Sequence, residues 1–205
     1  MTKTIRGFAE SSFIERKSEF IGQIAPLNDE QAALAFIADT KARHRKARHH
    51  CFAYIITNEG VIRHSDDGEP SGTAGLPILE AMKREGLSNV CLVVTRYFGG
   101  VLLGTGGLSR AYGRAAADVI AAAEIKTFFT AARLAVKLPY SLYGKAAATA
   151  ATCGAVLTDE VFGEDVSFTV YVKTENEQEF TSSLNEQSGG RADITRVEET
   201  EYEFI

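Results

Sequence analysis

Tryptophan is absent from this 205-residue sequence; methionine occurs twice, cysteine three times and proline four times. The cysteines, Cys51, Cys91 and Cys153, are odd in number and far apart. That spacing excludes a disulfide framework and suits a reducing compartment. No apolar run approaches the roughly 18 residues that span a bilayer, so a membrane role is not expected. Residues Met1 to Glu10 lack the apolar stretch of a secretory signal, and the expected location is the cytoplasm. Excess charge is also scarce, at -5 overall, but it is unevenly spread. Residues 1–129 carry +2 and residues 130–205 carry -7. An acidic C-terminal third repels phosphate, so any nucleic-acid contact belongs on the N-terminal part.

Apolar residues make up 45% of the chain and charged residues 24%, the balance of a globular protein with a real core. The pattern predicts an α+β fold. Ile5 to Leu27 reads as extended, with Phe13, Ile14, Phe20, Ile21 and Ile24 as buried positions. A helix follows a cap at Asn28 or Asp29, with Ala33, Phe36, Ile37 and Thr40 on one face. Cys51–Ile56 and Val61–His64 read as a hairpin around Asn58-Glu59-Gly60. Pro77 suits the first turn of a helix running to about Glu85. Val90–Thr95 is a β-branched run, expected as a central strand. Leu108, Tyr112, Ala115, Ala116 and Val119 then stripe a long helix.

A boundary near Lys126–Ala132 divides the chain into domains 1–129 and 130–205. Beyond it, Leu134, Val136 and Leu138 alternate with polar or small residues, and Leu142 to Ala150 form a helix face. Ala155–Phe162 and Val166–Val172 are strands. Phe180 and Leu184 mark a helix ending before Gly189-Gly190, and Ile194–Phe204 is a last strand. The order βαββαβ is ferredoxin-like.

Three segments could carry chemistry. Ser65-Asp-Asp-Gly-Glu-Pro-Ser-Gly-Thr-Ala-Gly75 gathers Asp66, Asp67, Glu69, Ser71, Gly72 and Thr73 at the mouth of a helix. Glycines and a helix start favour a bound anion, whereas the carboxylates favour a cation such as Mg²⁺. The bland alternative is a solvated turn whose acids cap backbone groups. Arg96-Tyr-Phe-Gly-Gly100 with Leu103-Gly-Thr-Gly-Gly-Leu-Ser-Arg-Ala-Tyr112 links a strand end to a helix start. Arg96 and Arg110 suit carboxylate or phosphate, and Tyr97 and Phe98 suit base stacking. Their structural role would be helix–strand packing, with Arg96 paired to Asp66 or Asp67. If Val61–His64 neighbours Val90–Thr95, these two loops converge. The third segment is the basic run 41–50, where Lys41, Arg43, Arg45, Lys46 and Arg48 are candidate phosphate contacts. His49-His50-Cys51 lacks a fourth ligand at zinc spacing, and no nucleophile elbow occurs.

The two glycine-bearing motifs, in this order and at this separation, resemble the signatures of the bacterial YigZ / IMPACT family. The resemblance covers nearly the whole chain. It implies an N-terminal ribosomal-protein-like β-α domain, similar to domain IV of elongation factor G. It also implies a small ferredoxin-like C-terminal domain, similar to domain V of that factor. Eukaryotic IMPACT proteins regulate translation by competing for the activator of an initiation-factor kinase. For the bacterial branch the resemblance implies nucleic-acid binding.

Two readings follow. The leading one is a non-enzymatic cytosolic regulator that binds RNA or the ribosome and needs no cofactor or metal. The alternative is an enzyme or anionic-ligand binder, Mg²⁺-dependent in one form, using loops 65–75 and 96–110. A protein partner recruited by the acidic tail is a third possibility.

Overall fold

The computed structural model of the protein describes residues 1–204. They form two units, one of residues 2–126 and one of residues 127–204 with Met1. The elements of the first are β1 (Thr2–Ile5), β2 (Ala9–Glu15), β3 (Ser18–Pro26), α1 (Glu30–Arg43), β4 (His49–Ile56), β5 (Val61–Ser65), α2 (Gly75–Arg84), β6 (Val90–Tyr97) and α3 (Gly104–Ala122). The fold class is α+β.

Strands β2-β3-β6-β4-β5 make one antiparallel sheet. Strand β6 lies at its centre because its run Val90–Val94 is apolar on both faces; every residue of the strand but Tyr97 is buried. Val90, Leu92 and Val94 face a core shared with α2 and α3. Cys91 and Val93 face a second core with Ala33 and Ile37 of α1. A strand covered on both sides shows this continuous run rather than an alternation. Each fully buried large side chain in these layers stabilises the fold by roughly 1.5–3 kcal/mol.

Helix α1 starts where Asp29 Oδ1 accepts the Ala32 N–H at 2.7 Å, satisfying one donor orphaned at the helix start. Helix α3 lies close on β3 because Gly22 has no side chain. A Cβ there would sit 2.8 Å from the Ala115 carbonyl and 3.2 Å from Val119. Tyr112 of α3 is fully buried and meets the Phe20 ring edge-on, with centroids 5.3 Å apart.

Strand β7 (Ile125–Pro139) spans the division between the units. It is followed by α4 (Tyr143–Cys153), β8 (Val156–Phe162), β9 (Asp165–Lys173), α5 (Glu177–Ser188) and β10 (Asp193–Tyr202). The spatial order β10-β7-β9-β8, all antiparallel, is ferredoxin-like. Leu134, Val136 and Leu138 of β7 are buried with Phe168, Phe180 and Leu184.

Three expectations need correction. The extended stretch Ile5–Leu27 holds the end of β1 and the two strands β2 and β3, and the β2–β3 hairpin turns at Arg16-Lys17, both at positive φ (45° and 67°). No Gly, Asn or Pro announces that turn. Ile14 is 72% exposed rather than buried, because in the alternation of β2 it is Phe13 that packs against the core. The strands Val61–Ser65 and Val90–Tyr97 are also not neighbours, since β4 lies between them.

Gly22→Ala should lower the urea midpoint by an amount equivalent to about 1–3 kcal/mol, the usual cost of overpacking. An unchanged midpoint would show that α3 can move off the sheet freely.

Candidate functional site

Loop 65–75 leaves β5 and enters α2, and its carboxylates face inward onto the protein's own donors. Asp66 Oδ1 accepts the N–H groups of Ala74 and Gly75, both at 2.9 Å, and Oδ2 accepts that of Gly72 at 2.8 Å. One side chain thus caps the start of α2, eight residues ahead of the usual capping position. Burial pushes the Asp66 carboxyl up, and the three N–H donors outweigh it, so its pKa lies below the ordinary value. Gly75 makes this geometry possible, because a Cβ would come within 2.8 Å of the Ser65 backbone.

Asp67 points the other way. Its Oδ1 accepts Lys41 Nζ at 2.8 Å and its Oδ2 accepts the His50 N–H at 2.7 Å. Its carbonyl accepts from His49 Nδ1 at 2.9 Å, which fixes the proton of that ring on Nδ1. Burial would raise the Asp67 carboxyl, but Lys41 and the His50 amide hold it low. Burial lowers the His50 imidazole, partly offset by the His44 carbonyl. Cys51 donates its thiol to the Asp66 carbonyl at 2.9 Å, and burial pushes that thiol up to about 12. It is therefore a poor nucleophile. His49, His50 and Cys51 all serve to hold the loop.

Glu69 ties this loop to the next. Its Oε1 accepts Arg96 NH1 at 2.7 Å and the Tyr112 hydroxyl at 2.9 Å. The pair is deeply buried, with side chains 6% and 5% exposed for Arg96 and Glu69. Arg96 lies between the Phe20 and Phe98 rings, at 5.5 and 5.3 Å from their centroids. A second guanidinium nitrogen reaches Ser18 Oγ at 3.3 Å. The two loops therefore converge, by a route other than adjacent strands: β4 and β6 pair His49 with Arg96, and loop 65–75 folds over that pair. The partner of Arg96 is Glu69, not Asp66 or Asp67.

A cleft of about 420 Å³ opens beside this junction. Arg48, His49, Arg96, Phe98, Leu102 and Thr105 are among its walls, and the start of α3 forms one side. Helix α3 has no side-chain cap, and its first residues, Gly104, Thr105 and Gly106, are exposed. Phe98 is 44% and Leu102 80% exposed. Arg48 is exposed, and no acid lies within ion-pair distance of it among the described residues. Among the described residues the only carboxylate on the wall, Glu69, is already neutralised by Arg96. The free charge of the cleft is positive.

Other expected residues fall elsewhere. Tyr97 turns away; its hydroxyl is 3.0 Å from His44 Nδ1. Phe98, the next residue, is the exposed ring. Arg110 lines a different recess, with Arg16 and Arg114. Thr73 is buried and donates to the Pro70 carbonyl at 2.6 Å, while Ser71 is exposed. The basic run divides among three settings: Lys41 and Arg43 end α1, Arg45 and Lys46 lie in the exposed turn, and Arg48 reaches the cleft. Arg48, Phe98 and Leu102 meet on one cleft wall, a juxtaposition that only the fold shows.

These contacts do not fit a divalent cation. Mg²⁺ wants free carboxylate oxygens, and those of Asp66 and Asp67 already receive N–H donors.

An Impact N-terminal domain matches residues 16–120, and a domain of unknown function (DUF1949) matches residues 136–191. The IMPACT family member YvyE of Bacillus subtilis is 35% identical, over 98% of this chain and 93% of its own. The IMPACT family member YigZ of Escherichia coli is 46% identical over 48% of this chain and 50% of its own. A crystal structure described as that of "an hypothetical protein" superposes with a TM-score of 0.58 at 29% identity, covering 96% of this chain and 97% of that one. No helix among the described residues is long and apolar enough to cross a membrane.

Two predictions follow from these contacts. Glu69→Gln leaves Arg96 buried without its counter-charge and should cost about 3–5 kcal/mol in urea unfolding. Glu69→Gln with Arg96→Met should recover most of that loss, and a double variant as unstable as the single one would contradict a charge-based cost. Asp66 and Asp67 have folded pKa values below their unfolded ones. Their stabilisation is therefore present above the unfolded value, about 3.9, and lost as pH falls through the folded one. Asp66→Asn should flatten the acid side of the stability profile; an unaltered profile would show that the cap carries no charge effect.

Proposed function

This chain belongs to the IMPACT family, and we propose that it is a non-enzymatic, cytosolic regulator that binds RNA of the translation machinery. The cleft seats a stretch of single strand, with Arg48 and the amides at the start of α3 on phosphate and Phe98 against a base. The observation that supports this best is the charge balance of the cleft. Its carboxylate is neutralised internally, while Arg48 and the uncapped helix start are not, and an exposed ring stands beside them. Single-stranded nucleic acid is bound by this combination of cation and stacking platform. Arg45 and Lys46, exposed in the preceding turn, extend the cationic surface. The reading also accords with the resemblance to translation-factor domains.

A second reading has one observation in its favour. A cleft of about 420 Å³ lies within the size range of small-molecule sites, and a lone nucleotide offers the same phosphate and base.

Binding of an unstructured oligouridine, measured against salt, tests the proposal. Each lost phosphate contact should reduce the slope of log K against log salt by about 0.7. Arg48→Ala should therefore flatten the slope, and Arg45→Ala with Lys46→Ala should flatten it further. Phe98→Ala should weaken binding by about 1–3 kcal/mol, the value of a stacked base, at unchanged slope. Equal, salt-insensitive binding by every variant would overturn the reading. Tight binding of a mononucleotide, with no gain for the oligomer, would favour the second.

A further inference from the structure

The recess that holds Arg110 adjoins the cleft. Leu103 is on the wall of both, so the two lie on either side of that residue at the start of α3. The recess has a volume of about 250 Å³ and gathers Arg16, Arg110 and Arg114, with Phe13 and Glu15. Arg114 lies 4.1 Å over the Phe13 ring and reaches Asp118 at 3.3 Å. Arg16 and Arg110 have no ion-pair partner among the described residues. Glu15 is the one carboxylate on the wall, so cations exceed anions there. Arg110 NH1 sits 3.8 Å from where a Cβ on Gly106 would lie, placing a guanidinium beside the same uncapped helix turn that borders the cleft.

The hairpin that supplies Arg16 adds an independent observation. Arg16 and Lys17 both hold positive φ, 45° and 67°, in a two-residue turn between Glu15 and Ser18. That geometry favours Asn-Gly and strains other residues. The turn is also locked in place, because a Cβ on Gly99 would overlap the Lys17 backbone and the Gly99 N–H donates to Ser18 Oγ at 3.2 Å. The chain thus holds two long cations in a strained turn against the very loop that carries Phe98.

We infer that this recess is a second phosphate-binding point for the same nucleic-acid strand. The strand leaves the cleft over Leu103, crosses the first turn of α3, and sets a later phosphate between Arg16 and Arg110. Bidentate guanidinium donors are suited to that contact. The inference rests on the RNA-binding reading of the cleft. It adds that the ligand is a polyanionic strand rather than a single nucleotide, and that Arg110 contacts it outside the cleft.

The test uses the full chain, an oligouridine about 12 nucleotides long, and three variants. Arg16→Asn relieves the turn while removing a cation, so it should raise the melting temperature and yet weaken binding. Arg110→Gln should weaken binding with little effect on melting. Each should flatten the salt slope by about 0.7, and the effects should add to that of Arg48→Ala. If Arg48→Ala weakens binding while Arg16→Asn and Arg110→Gln keep the wild-type affinity and slope, the recess is no part of the path, and the cleft reading stands. If the wild type binds no oligouridine at all, both are overturned.

Discussion

The buried contact between Glu69 and Arg96 is the constraint on which the site depends. It joins a loop after β5 to the end of β6 across the intervening strand β4. A charge pair so deeply buried is costly to desolvate, and it holds only where further hydrogen bonds complete it. Tyr112 of α3 donates to Glu69, and Ser18 at the start of β3 accepts from Arg96. One ion pair thereby fixes four elements around one point, and the cleft is the space left beside it. The pair also removes the cleft's only carboxylate from play.

The rest of loop 65–75 follows the same logic. Three carboxylates in a glycine-rich stretch look like a cation site, yet each is aimed at hydrogen-bond donors of the protein itself. Asp66 takes three backbone N–H groups at the start of α2, and Asp67 takes Lys41 and the His50 amide. Satisfying its own buried polar groups has used up the loop's negative charge. The charge left without a counter-charge is of the opposite sign, carried by Arg48 and Arg110 near the uncapped start of α3. An overall acidic protein can in this way offer a locally basic surface, since its excess acid lies in the unit of residues 127–205.

Much of the scaffold was legible in the sequence. The continuous apolar run of β6, the alternation of β7 and the glycine ends of α4 and α5 each state a period or a stop that the fold obeys. The β2–β3 turn was not legible, because Arg16 and Lys17 carry no turn chemistry and are held at positive φ by packing against Gly99. Ile14 misled because hydrophobicity does not say which face of an edge strand is covered. At the site, the two motifs converge through the pairing of β4 with β6, not through the adjacent strands on which the expectation was conditioned. Their partners were not legible either, because which carboxylate meets Arg96 depends on how β4 pairs with β6. Tyr97 and Phe98 were equally plausible stacking rings; only the pleat of β6 and the reach of His44 decide that Phe98 is the free one.

The account stands or falls on one statement: the loop's carboxylates are spent on architecture, and the open charge beside them is positive. Backbone amide NMR of the full chain, titrated in parallel with Mg²⁺ and with a short oligouridine, addresses it directly. The account requires the oligouridine to move the resonances of Arg48, Phe98, Gly104 and Thr105, and Mg²⁺ to leave those of Asp66, Asp67 and Gly72 to Gly75 in place. Saturable Mg²⁺ shifts in Gly72 to Gly75, with no response of the α3 start to the oligouridine, would contradict it.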